Sequence, residues 1–254
     1  MIKVVLLGTG NVATHLFNAF QKAKNIDVVQ VYNRNKKGLS LFQKHTKTTT
    51  HLSKLITADV YIIAISDDAI TRFSESLPLK NKLVVHTSGS IPLENLSKHN
   101  SQGVFYPLQT FTKGEDVDFL NIPICIEASS AENEKMLVLL AESISENVNL
   151  INSKQRKALH IAAVFVNNFV NHLYTIGEDI CDTNQVSFDI LKPLIQETAN
   201  KIVNLSPTKC QTGPAKRNDK KVIDSHLLAL QSKNKEEIYK LITQSITKKY
   251  GNKL

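Results

Sequence analysis

The 254-residue chain is most informative at first for what it lacks. No apolar run approaches the roughly 18 to 20 residues that cross a bilayer, so no membrane span is expected. Its three cysteines, Cys125, Cys181 and Cys210, are far apart, odd in number and without paired ligand spacing. Buried free thiols are expected, and no metal site. Tryptophan is absent and aromatic residues make up only 6% of the chain. No aromatic stacking pattern or nucleic-acid reading motif accompanies the basic residues, so nucleic acid is not an expected partner. Internal repeats and low-complexity tracts are also missing, which excludes a solenoid.

The composition that remains, 42% hydrophobic and 21% charged, is that of an ordinary globular protein. Its length suits two domains of roughly 100 to 150 residues. The first 13 residues carry a charge and an apolar run like a crude signal peptide, yet the glycines that follow fit a strand and a phosphate turn better. A cytoplasmic protein is expected. The net charge of +8 is uneven: residues 1–152 hold 15 basic and 14 acidic residues, residues 153–254 hold 16 and 9. Such a bias attracts anionic small molecules, acidic surfaces or nucleic acid, or is simply a solvated lysine-rich helix face. Lys248 and Lys249 stand where a helix C-terminus favours cations.

Short runs rich in valine and isoleucine at 2–7, 28–32, 60–65, 83–86, 103–106, 122–127 and 148–151 read as strands. Helical patterns separate them at 12–23, 36–44, 68–76 and 131–145. This alternation predicts an α/β domain over 1–152 with a mostly parallel sheet and helices on both faces. Beyond Asn152 no strong strand pattern recurs, and an all-helical domain is expected over 153–254. Its first helix runs from Ser153 to about Cys181, with further helices at 187–204, 219–232 and 235–250. So long a first helix in so small a domain points to a homodimer.

The strongest motif is Gly8-Thr9-Gly10-Asn11-Val12-Ala13, a GxGxxA between the first strand and the first helix. Gly8 permits the turn, Gly10 lets backbone approach a diphosphate, and Ala13 lets helix and strand pack closely. In that setting it predicts a Rossmann-type dinucleotide site. The second strand ends in Asn33-Arg34 rather than a carboxylate, so NADP is expected in preference to NAD, with Arg34 on the 2′-phosphate and Lys36 or Lys37 behind it. Ala64, Ile65 and Ser66 end another strand at the edge where ligands of such sheets bind. Next comes His86-Thr87-Ser88-Gly89-Ser90. Thr87 and Ser88 are placed against the cofactor, Ser88 also against substrate, and His86 as a proton donor or a hydrogen-bonded turn histidine. Gln109, in Phe105-Tyr106-Pro107-Leu108-Gln109-Thr110-Phe111, binds substrate or satisfies backbone.

In the long helix, His160, Asn167 and Asn171 fall on one stripe if the helix is regular, with Asn168 to its side. His160 is the first candidate for general acid or base, with a structural hydrogen bond as the alternative. Arg217 can grip an anionic substrate; Asp219, which can instead cap a helix, and His226, seven residues later, are placed with Asn167 and Asn171 on the substrate side.

Taken in order, the GxGxxA turn, HTSGS, FYPLQTF, HIAAVFVNN and TGPAKRND resemble the Rossmann-like proteins that carry a C-terminal helical domain of unknown function. That family resembles pyrroline-5-carboxylate reductase, ketopantoate reductase and the 6-phosphogluconate and 3-hydroxyisobutyrate dehydrogenases in architecture. The resemblance implies an NADP-binding domain and a helical domain that dimerises and closes the active site. It aligns Asn168, His160, Arg217 and Asp219 with family positions, Asn168 as a catalytic candidate. Two departures stand out. The catalytic lysine of the hydroxyacid dehydrogenases has no counterpart, and Asn218 occupies a position where glycine is expected. The reading that follows is an oxidoreductase moving a hydride between NADP and a C=O or C=N bond of a small anionic metabolite. The alternative is a non-catalytic dinucleotide-binding sensor or scaffold.

Overall fold

The structure, a computed structural model, describes residues 1–251. Eight strands make one sheet: β1 (Ile2–Leu7), β2 (Ile26–Tyr32), β3 (Lys47–Thr49), β4 (Val60–Ile63), β5 (Leu83–His86), β6 (Ser101–Pro107), β7 (Ile124–Ala128) and β8 (Val148–Leu150). Their spatial order is β3-β2-β1-β4-β5-β6-β7-β8. Only β6 and β7 pair antiparallel; the other neighbours are parallel. The chain leaves β1 towards one edge and returns on its other side at β4. Strand order therefore reverses between β1 and β4, and the crevice beyond their carboxyl ends is where such sheets bind ligands.

Helices on both faces explain why Val4, Val5, Leu6 and Leu7 are all buried rather than alternating. Val4 and Leu6 enter one core with Phe20, Val31 and Phe105, whereas Val5 and Leu7 enter the other with Tyr61, Ile63 and Val84. Helix α1 (Asn11–Lys22) seals the first with Leu16, Phe17 and Phe20, and α3 (Ala131–Glu142) adds Leu137 and Leu140. Helix α2 (Asp67–Ser76) contributes Ile70 to the second. Each such side chain contributes about 1.5–3 kcal/mol by leaving water.

Two local expectations change. The helix expected over 36–44 is only a 3-10 turn, Lys36–Leu39. Gly38 lies so close to the β1–α1 turn that a β-carbon there would meet Thr9 Oγ1 and Asn33 Nδ2 at 2.5 Å, and glycine is a poor helix former. Of the cysteines, all free, only Cys125 is buried; Cys181 and Cys210 are half-buried.

The chain divides into two compact units, residues 1–165 and 166–254. The first includes α4 (Ser153–Ala163). Residues Val164–Phe169 then form a π-helix, and α5 (Val170–Thr183) resumes the α-helix. A π turn holds more residues than an α turn, so the regular projection placing His160, Asn167 and Asn171 on one stripe does not apply. The helical unit continues through a 3-10 turn (Phe188–Leu191), α6 (Lys192–Asn204), α7 (Pro207–Cys210), α8 (Pro214–Arg217), α9 (Lys220–Ala229) and α10 (Lys233–Tyr250). Proline opens α6, α7 and α8, where its missing N–H costs nothing. No described helix is long and apolar enough to cross a membrane.

Candidate dinucleotide site and adjoining histidine

Between the end of β1 at Leu7 and the start of α1 at Asn11 the chain must turn within three residues. Gly8 does so at φ 129°, a region that disfavours side chains, and a β-carbon there would overlap the Ala64 carbonyl oxygen. Gly10 precedes α1 without a side-chain cap, and the space where its β-carbon would sit is open to 4 Å. The first turn of α1 carries no acidic residue. Its leading N–H groups, with the positive end of the helix dipole behind them, form a cradle that fits a diphosphate. Ala13 is fully buried, as close packing of α1 on the sheet requires.

A cavity of about 540 Å³ opens in front of this turn. It is lined by Gly8, Thr9, Gly10, Asn11, Val12, Asn33, Arg34, Ala64, Ile65, Ser66 and Thr87, most of the residues assigned to the cofactor from sequence. Tyr32 and Phe73, which also line it, carried no sequence signal; their rings lie 5.8 Å apart. A larger groove of about 1280 Å³ shares Thr9, Asn11 and Asn33 and runs along α1 to Lys37 and Lys113. Asn11 Nδ2 donates to the Phe111 carbonyl at 2.8 Å, and His15 Nε2 lies 3.1 Å from the Thr112 carbonyl. The loop after β6 is thereby tied to the opening turns of α1.

At the inner end of the cavity, β5 passes into the HTSGS turn. His86 is fully buried. Its Nδ1 accepts from the Ser88 N–H at 3.2 Å, which leaves the proton on Nε2, on the side of the Pro92 carbonyl. Burial, reinforced by the Arg156 charge, pushes its pKa down to about 3. A neutral imidazole sealed from solvent holds the turn rather than moving protons. Ser88 is buried too, and its Oγ accepts from the Ser90 and Ile91 N–H groups, so its hydroxyl closes the turn instead of facing a ligand.

Gly89 is tight for another reason. A β-carbon there would lie 2.7 Å from His160 Nδ1 and 2.8 Å from Tyr106 Cζ. His160, half-buried in α4, has Nδ1 3.0 Å from the Tyr106 hydroxyl, and the two rings meet edge to face. Burial is the main cause that pushes Tyr106 up to about 12.

Helix α4 is held at this place by a network that the sequence did not reveal. Asn152 and Gln155 form a capping box at its start. Glu127, on β7, accepts from the Ser153 N–H at 2.9 Å and the Ser153 hydroxyl at 2.7 Å, and pairs with Arg156. The Arg156 guanidinium, 1% exposed, also donates to the Ile91 carbonyl at 2.5 Å. Arg156 and His160 are four residues apart on one helix face. The ion pair thus anchors the turn that precedes the half-buried histidine.

No curated protein matches the chain. Residues 3–89 match the family described as NADP oxidoreductase, coenzyme F420-dependent, and residues 122–246 match a domain of unknown function, DUF2520. A solved structure from Bacteroides fragilis, described as the candidate NADP oxidoreductase BF3122, is 39% identical, with 97% of this chain and 98% of that one covered and a TM-score of 0.87. The chain belongs to the same family. Two more distant structures share the fold. Protein TM1727 from Thermotoga maritima is 19% identical, with 96% and 97% covered and a TM-score of 0.74. The 1-pyrroline-5-carboxylate reductase of Streptococcus pyogenes is 13% identical, with 98% of each chain covered and a TM-score of 0.62. This is therefore a Rossmann-type, oxidoreductase-like family whose members pair a dinucleotide-binding unit with a helical one.

Other candidates in this family member are placed as follows. Gln109 is exposed, and its Oε1 accepts from the Thr110 N–H at 2.8 Å, so it serves local backbone. Asn167 and Asn168 lie exposed in the π segment and Asn171 exposed in α5. Arg217 ends α8, exposed. Asn218 takes the left-handed conformation at φ 52°, which asparagine tolerates better than most residues and which explains how it replaces a glycine. Asp219 caps α9 by accepting from the Val222 N–H at 3.3 Å. His226 Nδ1 lies 2.8 Å from the Tyr239 hydroxyl.

Proposed function

We propose that this chain is an NADP-dependent oxidoreductase acting on a C=O or C=N bond of a small anionic metabolite, and that it works as a homodimer. The observation that carries this reading is the glycine cradle with its cavity, which is lined as far as Thr87, two residues before the Gly89 that packs on His160. The preference for NADP rests on the end of β2. No carboxylate stands there to repel a phosphate, while Arg34 lines the cavity and Thr9 Oγ1 and Asn33 Nδ2 converge beside Gly38. Lys37 lines the adjoining groove. A guanidinium and several N–H and O–H donors suit a 2′-phosphate. The description of the Bacteroides fragilis relative agrees with this preference.

When bound, the nicotinamide supplies the hydride. The residues of the chain do the rest: the protonated His160 ring gives its Nε2 proton to the oxygen or nitrogen whose carbon receives the hydride and returns to neutral imidazole, so the π pair becomes an O–H or N–H bond. Dimerisation is supported by the helical unit itself. Among its described residues only Ala215 is buried, while Leu194, Val203, Leu228 and Leu241 are 63%, 79%, 90% and 68% exposed. Apolar surface on that scale marks an interface. The test is NADPH oxidation with a panel of 2-oxo acids and cyclic imino acids. Turnover that His160→Gln lowers about 100-fold, within the range of general acid catalysis, is expected. NADPH binding without turnover of any compound would instead leave a dinucleotide-binding sensor.

A further inference from the structure

The glycine of the HTSGS loop, Gly89, does not line the cavity in front of the cradle. Gly89 is not at a left-handed φ, so conformation does not demand it. What demands it is space, because its missing side chain is replaced by the rings of His160 and Tyr106. Tyr106 ends β6 and His160 lies 54 residues later on α4, yet the hydroxyl and Nδ1 meet at 3.0 Å. A hydroxyl can both donate and accept. It can donate to a bare Nδ1, which leaves the ring proton on Nε2, or accept from a protonated Nδ1. Either contact holds the ring in one orientation.

We propose that Tyr106 is the positioning residue of this site, fixing the His160 ring so that Nε2 is presented as a proton donor, and that Gly89 is the glycine that admits this pair. The inference rests on the assignment of His160 above and adds what aims it. The charged and titratable groups that act on the Tyr106 hydroxyl are Cys125, from β7, Asp67, at the start of α2, and Arg156, in α4. Burial outweighs them and keeps the phenol protonated through the neutral range, so the hydroxyl always has a proton to offer. Tyr106→Phe retains the ring and its packing and removes only the hydroxyl.

The test is nitrogen NMR of the full chain labelled at its eight histidines, with His160 assigned through His160→Gln. In the wild type, neutral His160 shows a protonated Nε2 and an Nδ1 shifted upfield by accepting a hydrogen bond. Tyr106→Phe moves that Nδ1 resonance downfield, Gly89→Ala moves it the same way by displacing the ring, and the NADPH dissociation constant of Tyr106→Phe stays within about twofold of wild type. A neutral His160 protonated at Nδ1, or an Nδ1 signal unmoved by Tyr106→Phe, overturns the proposal. Should NADPH fail to bind while the Nδ1 shift behaves as described, the positioning stands and the oxidoreductase reading falls. If NADPH is bound and turned over but Nδ1 does not respond, the positioning falls alone.

Discussion

The two units of this chain solve the same problem differently. The first hides nearly all of the described hydrophobic core, between a parallel sheet and the helices on its faces. The second is a set of helices with one buried residue among those described, Ala215, and many large apolar side chains in the open. The first has its own buried core and carries the cradle, the turn and the histidine. The second leaves its apolar side chains exposed, which is what the proposed homodimer would cover. Ordering backbone costs about 1–2 kcal/mol per residue, which so little burial within one copy does not offset.

The sharpest way to break the comparison is to attack the first unit where it is most concentrated. Arg156→Ala leaves Glu127 without its partner, and a loss of about 3–5 kcal/mol in denaturant unfolding is expected. A loss below about 1 kcal/mol would mean that α4 is anchored by other contacts. Acid should act on the same unit. Because the folded pKa of His86 is depressed to about 3 from 6.5, its stabilising contribution is present above pH 6.5 and is lost as pH falls towards 3. The slope is about 1.4 kcal/mol per pH unit, and the comparison that isolates it is wild type against His86→Gln, which lacks that slope. Gly8→Ala, forced to a positive φ against the Ala64 carbonyl, should lower stability by about 1–3 kcal/mol and weaken nucleotide binding with it. For the second unit the smaller but more diagnostic effect is on assembly. The wild-type melting temperature should rise with protein concentration, whereas Val203→Glu should abolish that dependence and sediment as a monomer. Independence from concentration in the wild type would contradict the proposed homodimer.

What was legible in the sequence is what local chemistry dictates. The GxGxxA turn, the valine-rich strands and the Asn33-Arg34 end of β2 each declare their place because strand, turn and helix leave different residue patterns. The strand β3 does not, since three polar-edged residues at a sheet margin carry no alternation. Nor does the π segment, which uses the same apolar residues as an α-helix but winds them differently. Arg156 was unreadable for a plainer reason: an arginine in the first turn of a helix has the sequence signature of a solvated residue, and only the distant Glu127 buries it. Tyr106 likewise reads as one more strand aromatic until His160, 54 residues away, is brought to its hydroxyl. His160 was the first candidate and His86 the second; the structure places His86 fully buried and His160 half-buried.

The central claim is that the crevice between β1 and β4 selects a phosphorylated nicotinamide dinucleotide, and calorimetric titration of NADPH and NADH against wild type and Arg34→Ala tests it most directly. The account predicts micromolar NADPH binding, weaker NADH binding, and a loss of roughly 10- to 100-fold for NADPH alone in Arg34→Ala, the size of a charged hydrogen bond of about 1.5–3 kcal/mol. Equal affinity for the two nucleotides, unchanged by Arg34→Ala, would contradict it.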